Sequence, residues 1–163
     1  MHSQKKITIG GILKSSNLIQ ICINSAPDKP GITGKILSFL GENGICVEYI
    51  TEGCNIDGFV DISFCINPDY KNKLKQLFSQ LKELINAKAD RWKDDVCIIS
   101  IYGPHFREKP NIAGIMCSAL GNNNINIMGM STSISTVSCV ILNKDLNSAQ
   151  ETLESAFKLP KAL

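Results

Sequence analysis

Apolar residues fall at every second position in some stretches of this chain and at intervals of three and four in others, and the two rhythms take turns. Residues 6–13, Lys6-Ile7-Thr8-Ile9-Gly10-Gly11-Ile12-Leu13, read as a strand, followed by a polar turn, Lys14-Ser15-Ser16-Asn17. Leu18 to Asn24 alternates again. A helix is expected from about Pro30 to Asn43, with Ile32, Ile36, Leu37, Phe39 and Leu40 on its inner face and Gly44 ending it in the left-handed conformation. Ile45 to Thr51 then reads as a strand, Asn55-Ile56-Asp57-Gly58 as a turn, and Phe59 to Ile66 as the hairpin partner. Pro68 or Asp69 starts a long helix carrying Leu74, Leu77, Phe78, Leu81, Leu84 and Ile85 on one face. Ala87 to Trp92 is a short strand, and Lys93-Asp94-Asp95 is a break.

The pattern then repeats. Val96 to Gly103 is a strand, Pro110 opens a helix to about Asn122, Ile125 to Met130 and Thr136 to Leu142 are strands, and Asp145 caps a last helix ending near Lys158. An offset of 80 maps Pro30 on Pro110, Ile32 on Ile112, Gly34 on Gly114, Leu40 on Leu120, Gly41 on Gly121 and Ile45 on Ile125. The chain therefore carries two copies of a βαββαβ unit. The second copy runs out at Lys158-Leu159-Pro160 without a fourth strand, while the strand at 6–13 is left over. It is expected to complete the second copy's sheet. The first domain, 14–94, then sits inserted in the second, 95–163.

Composition narrows the function. A chain of 163 residues, 44% hydrophobic and 20% charged, with a net charge of +2, gives no reason to expect nucleic acid or an anionic membrane as partner. No apolar run approaches the roughly 20 residues that span a bilayer, and the N-terminus is too short and polar for a secretory segment, so a cytoplasmic protein is expected. The seven cysteines, Cys22, Cys46, Cys54, Cys65, Cys97, Cys117 and Cys139, are odd in number and form no C-x-x-C. Cys22, Cys65, Cys97 and Cys139 lie in strand-like apolar runs and read as small buried hydrophobes in a reducing compartment, and no disulfide framework, metal site or cofactor is expected. His2 and His105 have no ligand-like spacing to any of them.

The candidate chemistry sits at Pro27-Asp28-Lys29-Pro30-Gly31. Pro30 suits the first helical position, where its missing N–H has no partner in any case. Asp28 sets a carboxylate beside the positive end of the helix dipole, and the free N–H groups there can hold an anion. A carboxylate for an ammonium next to N–H groups for a carboxylate suits a free α-amino acid; a well-capped strand-to-helix turn is the plainer reading of the same five residues.

Taken together, Ile9-Gly10-Gly11-Ile12, Pro27-Asp28-Lys29-Pro30-Gly31, Asp61-Ile62-Ser63-Phe64, Ile125-Asn126-Ile127, Ser131-Thr132-Ser133 and the ending Ala156-Phe157-Lys158-Leu159 resemble the regulatory part of an aspartate kinase, a tandem pair of ACT domains. The resemblance covers about Ile7 to Pro160. It implies an α+β fold of two ferredoxin-like βαββαβ ACT domains, with antiparallel sheets, helices on one face, and the first domain inserted in the second. It also implies a bound free amino acid, lysine or threonine, between ACT domains. Under it Asp28 matches the acidic residue that contacts the effector, and Lys29, Pro30, Gly31 and Ile32 are the helix start beside it. Asn126 and Ile127 match a contact pair from the second domain, and Ser131, Thr132 and Ser133 the polar strand end after it. Glu52 stands where the family commonly has Gln, Cys46 where it has Asn, Phe59 and Val60 where it often has threonines, and Asn111 where the second copy has glycine. These departures alter the effector pocket or remove one of two possible sites.

No phosphate-binding glycines with a lysine precede residue 7, and Gly10-Gly11 suits a bulge better than a phosphate loop. Ser131 to Ser133 have no histidine or acid placed to activate them, so no catalytic residue is expected. The chain is expected to be no enzyme on its own: a separate regulatory subunit or a regulatory fragment, a homodimer, with a catalytic kinase subunit as a possible partner. Two other classes share the topology. Gly58 to Phe64 faintly resembles the aromatic strand of RNA-recognition domains, but Asp61 and the aromatic-free facing strand speak against nucleic acid. An ACT-type assembly module that binds no ligand is the other alternative.

Overall fold

In the computed structural model, which describes residues 6–55 and 57–160, Gly11–Pro27 forms one strand of 17 residues, β1. The polar turn expected at 14–17 is absent. Asn17 takes φ 55° instead, a left-handed value that asparagine tolerates, and the strand continues through it. The same correction applies to the break expected at Lys93-Asp94-Asp95. Ala89–Tyr102 is one continuous strand, β4, and Asp95 takes φ 58° inside it.

Between these strands lie α1 (Ile32–Glu42), β2 (Val47–Cys54), β3 (Phe59–Ile66) and α2 (Lys71–Ile85). After them come α3 (Ile112–Asn122), β5 (Gly129–Thr132), β6 (Thr136–Leu142) and α4 (Leu146–Ala156). The chain divides into two compact units at these two left-handed residues. One, called central here, is Asn17–Asp95; the other, called outer, joins the residues up to Ser16 with those from Val96 onward.

In the central unit β3 lies between β1 and β2 and pairs antiparallel with both, from Ile19 opposite Ile66 to Pro27 opposite Phe59 on one side and from Val47 opposite Ile66 to Cys54 opposite Val60 on the other. Ile19, Ile21 and Ile23 of β1 share a core with Ile32, Ile36 and Leu40 of α1 and with Leu74, Phe78, Leu81 and Ile85 of α2, so both helices cover one face of the sheet. Each such side chain contributes roughly 1.5–3 kcal/mol by leaving water. Leu84 departs from its expected inner position and stands 46% exposed.

In the outer unit β6 pairs antiparallel with β4, Val96 opposite Leu142 to Tyr102 opposite Thr136, and with the four-residue β5. Its core gathers Ile99, Ile101, Ile112, Met116, Leu120, Val137, Ile141, Leu153 and Phe157, and it takes in Ile9 from the start of the chain. Ile9 N–H donates to Lys158 O, Lys158 N–H to Ile7 O, and Thr8 bridges Lys158 in parallel. Gly10 N–H donates to Tyr102 O at 2.6 Å, and a side chain on Gly10 or Gly11 would strike the Tyr102 ring. This pair of glycines is therefore a close approach, not the bulge that the sequence suggests.

Two further expectations change. The strand expected at Ile125 to Met130 starts only at Gly129. Asp145 makes no side-chain cap; it ends a 3-10 turn, Asn143–Asp145, from which α4 continues.

Candidate functional site

The start of α1 is set by Gly31. At φ 88° it lies in the left-handed region, and a Cβ there would meet nothing within 4 Å, so conformation and not space demands glycine. This displaces Pro30 from the first helical position expected for it: the helix begins at Ile32. Ile32 N–H turns back to Lys29 O at 3.2 Å and Lys35 N–H donates to Gly31 O at 3.0 Å. The donors between them, on Thr33 and Gly34, belong to the first turn and have no intrahelical acceptor. No side chain caps this end.

Asp28 is fixed from the other side. Its N–H donates to Gly58 O at 3.1 Å, tying the strand-to-helix connection to the β2–β3 turn. That turn is organised by the Asn55 side chain, which accepts from Asp57 N–H and Phe59 N–H. Glu52, near the end of β2, accepts a hydrogen bond from the Thr33 hydroxyl. Among the described residues neither Lys29 nor Lys35 forms an ion pair with it. Asp28, Lys29, Pro30, Gly31, Ile32, Thr33, Gly34 and Glu52 line an open depression of about 550 Å³. Six of the residues singled out by sequence are thus brought together within the central unit.

Sequence reasoning missed Thr33 and Gly34 in the lining, and Cys54 beside it. Thr33 holds Glu52. Cys54 lies two residues beyond Glu52, on the same side of the strand by its period of two, and that spacing was the available signal. Its pKa is raised, first by a hydrogen bond to the Asp28 carboxylate, then by the charge of Asp28, with smaller contributions from burial and Glu52.

The remaining candidates belong to the outer unit. Asn126 is exposed and Ile127 half-buried in the connection before β5; Ser131 and Thr132 are on β5. The Ser133 hydroxyl accepts from Thr136 N–H at 3.1 Å and Ser135 N–H at 3.3 Å, so it holds its own turn.

The start of α3 is built differently from that of α1. Asn111, at φ 69°, occupies the position of Gly31, and its Oδ1 fills the place that a Cβ on Gly114 would need. Glu108, equivalent to Asp28 by the offset of 80, lies 3.3 Å from His105 Nδ1, and Lys109 Nζ donates to Thr8 O at 2.9 Å. Among the described residues no group of three or more His, Cys, Asp or Glu side chains is placed to hold a metal ion, and no helix is long and apolar enough to cross a membrane.

Residues 99–157 match the family model of the ACT domain. An aspartokinase of Pseudomonas aeruginosa is 31% identical over 159 residues, which is 97% of this chain and 38% of that protein. An aspartokinase of Thermus thermophilus is 26% identical over 99% of this chain and 40% of that protein. The chain thus spans about two fifths of the length of the curated relatives it matches. One chain in a crystal structure of aspartokinase alpha and beta subunits superposes with a TM-score of 0.80 at 28% identity, over 91% of this chain and 97% of that one. The regulatory subunit of aspartate kinase from Thermus thermophilus, solved without ligand, superposes with a TM-score of 0.81 at 23% identity, over 92% of this chain and 99% of that one, a likeness of fold. These 163 residues include no kinase catalytic domain.

Proposed function

We propose, from a chain that belongs with the ACT-containing regulatory regions of aspartate kinases, that this protein is a regulator which senses a free amino acid at the start of α1. The observation that carries this is the open depression in which two carboxylates, Asp28 and Glu52, meet the uncapped first turn of a helix. Asp28 accepts the ligand ammonium, and the N–H groups of Thr33 and Gly34 hold its carboxylate. Glu52 faces the distal end of the ligand. Its partner is a neutral hydroxyl, so its charge is free to favour a cationic side chain, and lysine ranks ahead of threonine.

The open side of the depression is closed, on this reading, by Asn126 and Ile127 of a second copy of the chain, with Ser131 and Thr132 beyond them. The protein is then a homodimer with a closed twofold contact. A catalytic kinase subunit is the partner whose activity it sets, and the cytoplasm is its compartment. The same reading treats 14–94 as one ACT domain inserted in a second formed by 95–163 and the segment 6–13. The hydrogen bonds of Ile7, Ile9 and Gly10 to Lys158 and Tyr102 support that assignment.

A melting-temperature screen with the common amino acids tests it. Ligand at 100 times its dissociation constant should add roughly 2.7 kcal/mol of stability to the wild type, and Asp28→Ala should lose that response. No response to any amino acid returns the chain to an assembly module without ligand. An equal response from Asp28→Ala places the site elsewhere.

A further inference from the structure

Three sulfur atoms meet at one edge of the outer unit. Cys117, half-buried on α3, has its Sγ 3.4 Å from Sδ of Met130 on β5. Met130 is the direct cross-strand partner of Cys139 on β6, so their side chains leave the same face of the sheet. That face is the helix-covered one, because Cys139 belongs to the outer core with Met116, Leu120 and Leu153. The Cys139 thiol is pushed up to about 12 by burial and, secondly, by the Cys117 thiol beside it. Met130 is 37% exposed, and β5 is the last strand of its sheet, so the cluster has an opening to solvent.

We propose that Cys117, Cys139 and Met130 form a binding site for a soft monovalent cation, Cu(I). The donor set on binding is two thiolates and one thioether, which selects for Cu(I) among the common metal ions. Calcium and magnesium require oxygen ligands, which the three side chains do not offer. A structural zinc site closes with four nitrogen or sulfur ligands, and this set has three. Uptake of one Cu(I) with release of both thiol protons gives a centre of two thiolates and one thioether with one net negative charge, because a cysteine ligates a metal only as its thiolate.

The test is anaerobic titration of the reduced full chain with Cu(I) in competition with a chromogenic chelator. One tight equivalent per chain is expected, with two protons released. Cys117→Ser should lose that equivalent, and Met130→Leu should hold it about tenfold more weakly. The double variant Cys46→Ser with Cys54→Ser, which removes the two exposed thiols, should retain it. The proposal is overturned if the wild type keeps no metal against the chelator, or if the tight equivalent survives in Cys117→Ser. It is equally overturned if that equivalent vanishes with Cys46 and Cys54, or if Met130→Leu binds undiminished.

Discussion

The two helix starts, at Gly31 and at Asn111, share a backbone and differ in what they leave open. Both residues are left-handed, at φ 88° and 69°, and both accept from the N–H four residues on, Lys35 and Ile115. In the central unit nothing stands within 4 Å of a Cβ placed on Gly31 or Gly34. In the outer unit the Asn111 side chain covers Gly114, Glu108 turns to His105, and Lys109 is held by Thr8 O. Duplication has preserved the fold of the turn, because the left-handed position admits asparagine nearly as well as glycine. The side chain that asparagine adds covers one helix start, and glycine leaves the other open.

The cores differ as well, and the largest expected effect comes from that difference. The central core is assembled from residues between Ile19 and Ile85, whereas the outer core needs Ile9, which is 1% exposed. Ile9→Ala should cost about 3 kcal/mol, the removed methyl groups plus the cavity they leave. Denaturant unfolding would measure the loss, and native-state hydrogen exchange would locate it. Protection should fall in β4, β6 and α3 and persist in β3 and α2. Equal loss in both sets would mean that the two units unfold as one and that the comparison of separate cores fails.

Much of this arrangement was legible in the sequence. β3 and β6 fall on the residues that alternation assigns to them, and Gly44 is left-handed as its place after α1 requires. The overshoot of two strands has a common cause. Ile45 N–H donates to Leu40 O and Ile125 N–H to Leu120 O, each just after a left-handed residue, Gly44 or Asn124. Both isoleucines therefore close the end of a helix and bury an apolar side chain there. Periodicity cannot separate that from the first residue of a strand. The runs 14–17 and 93–95 misled for another reason: a polar cluster reads as a turn, yet a strand continues through one left-handed Asn or Asp. At the site, alternation along β2 could have added Cys54 to Glu52, but nothing local to Thr33 announces that its hydroxyl reaches β2.

The helix starts can be exchanged by substitution. Gly31→Ala should cost roughly 1–2 kcal/mol, since a Cβ has room but the left-handed backbone is strained. Gly31→Asn should cost less, and it should suppress the amino-acid response by placing an amide over Gly34 as Asn111 does over Gly114. Asn111→Gly should change stability by only about 0.5 kcal/mol, mostly through the unfolded chain. Thermal unfolding with and without lysine reads all three. If Gly31→Asn responds to ligand like the wild type, the filled helix start is not what separates the two units.

The smallest effect concerns a thiol that the outer unit has no counterpart for, since Ile134 stands at the position equivalent to Cys54. Cys54 is exposed, and Asp28 raises its pKa by accepting the thiol proton and by its charge. The folded chain therefore holds that proton more tightly than the unfolded chain does. The associated stability is present below the ordinary thiol pKa, about 8.5, and fades as pH rises through the raised value. Removing the Asp28 charge should reverse the shift. In Asp28→Asn the Cys54 thiolate should form at lower pH, and alkylation by iodoacetamide near pH 8 should run faster, because the thiolate is the nucleophile. Peptide mapping separates Cys54 from Cys46, which is also exposed and serves as the internal reference. A ligand ammonium seated on Asp28 should act in the same direction by taking over its hydrogen-bonding oxygen. Acceleration at Cys54 by lysine, with Cys46 unchanged, would therefore place the ligand at this carboxylate independently of any change in melting temperature. An unchanged Cys54 rate in Asp28→Asn would break the link between thiol and carboxylate on which that readout depends.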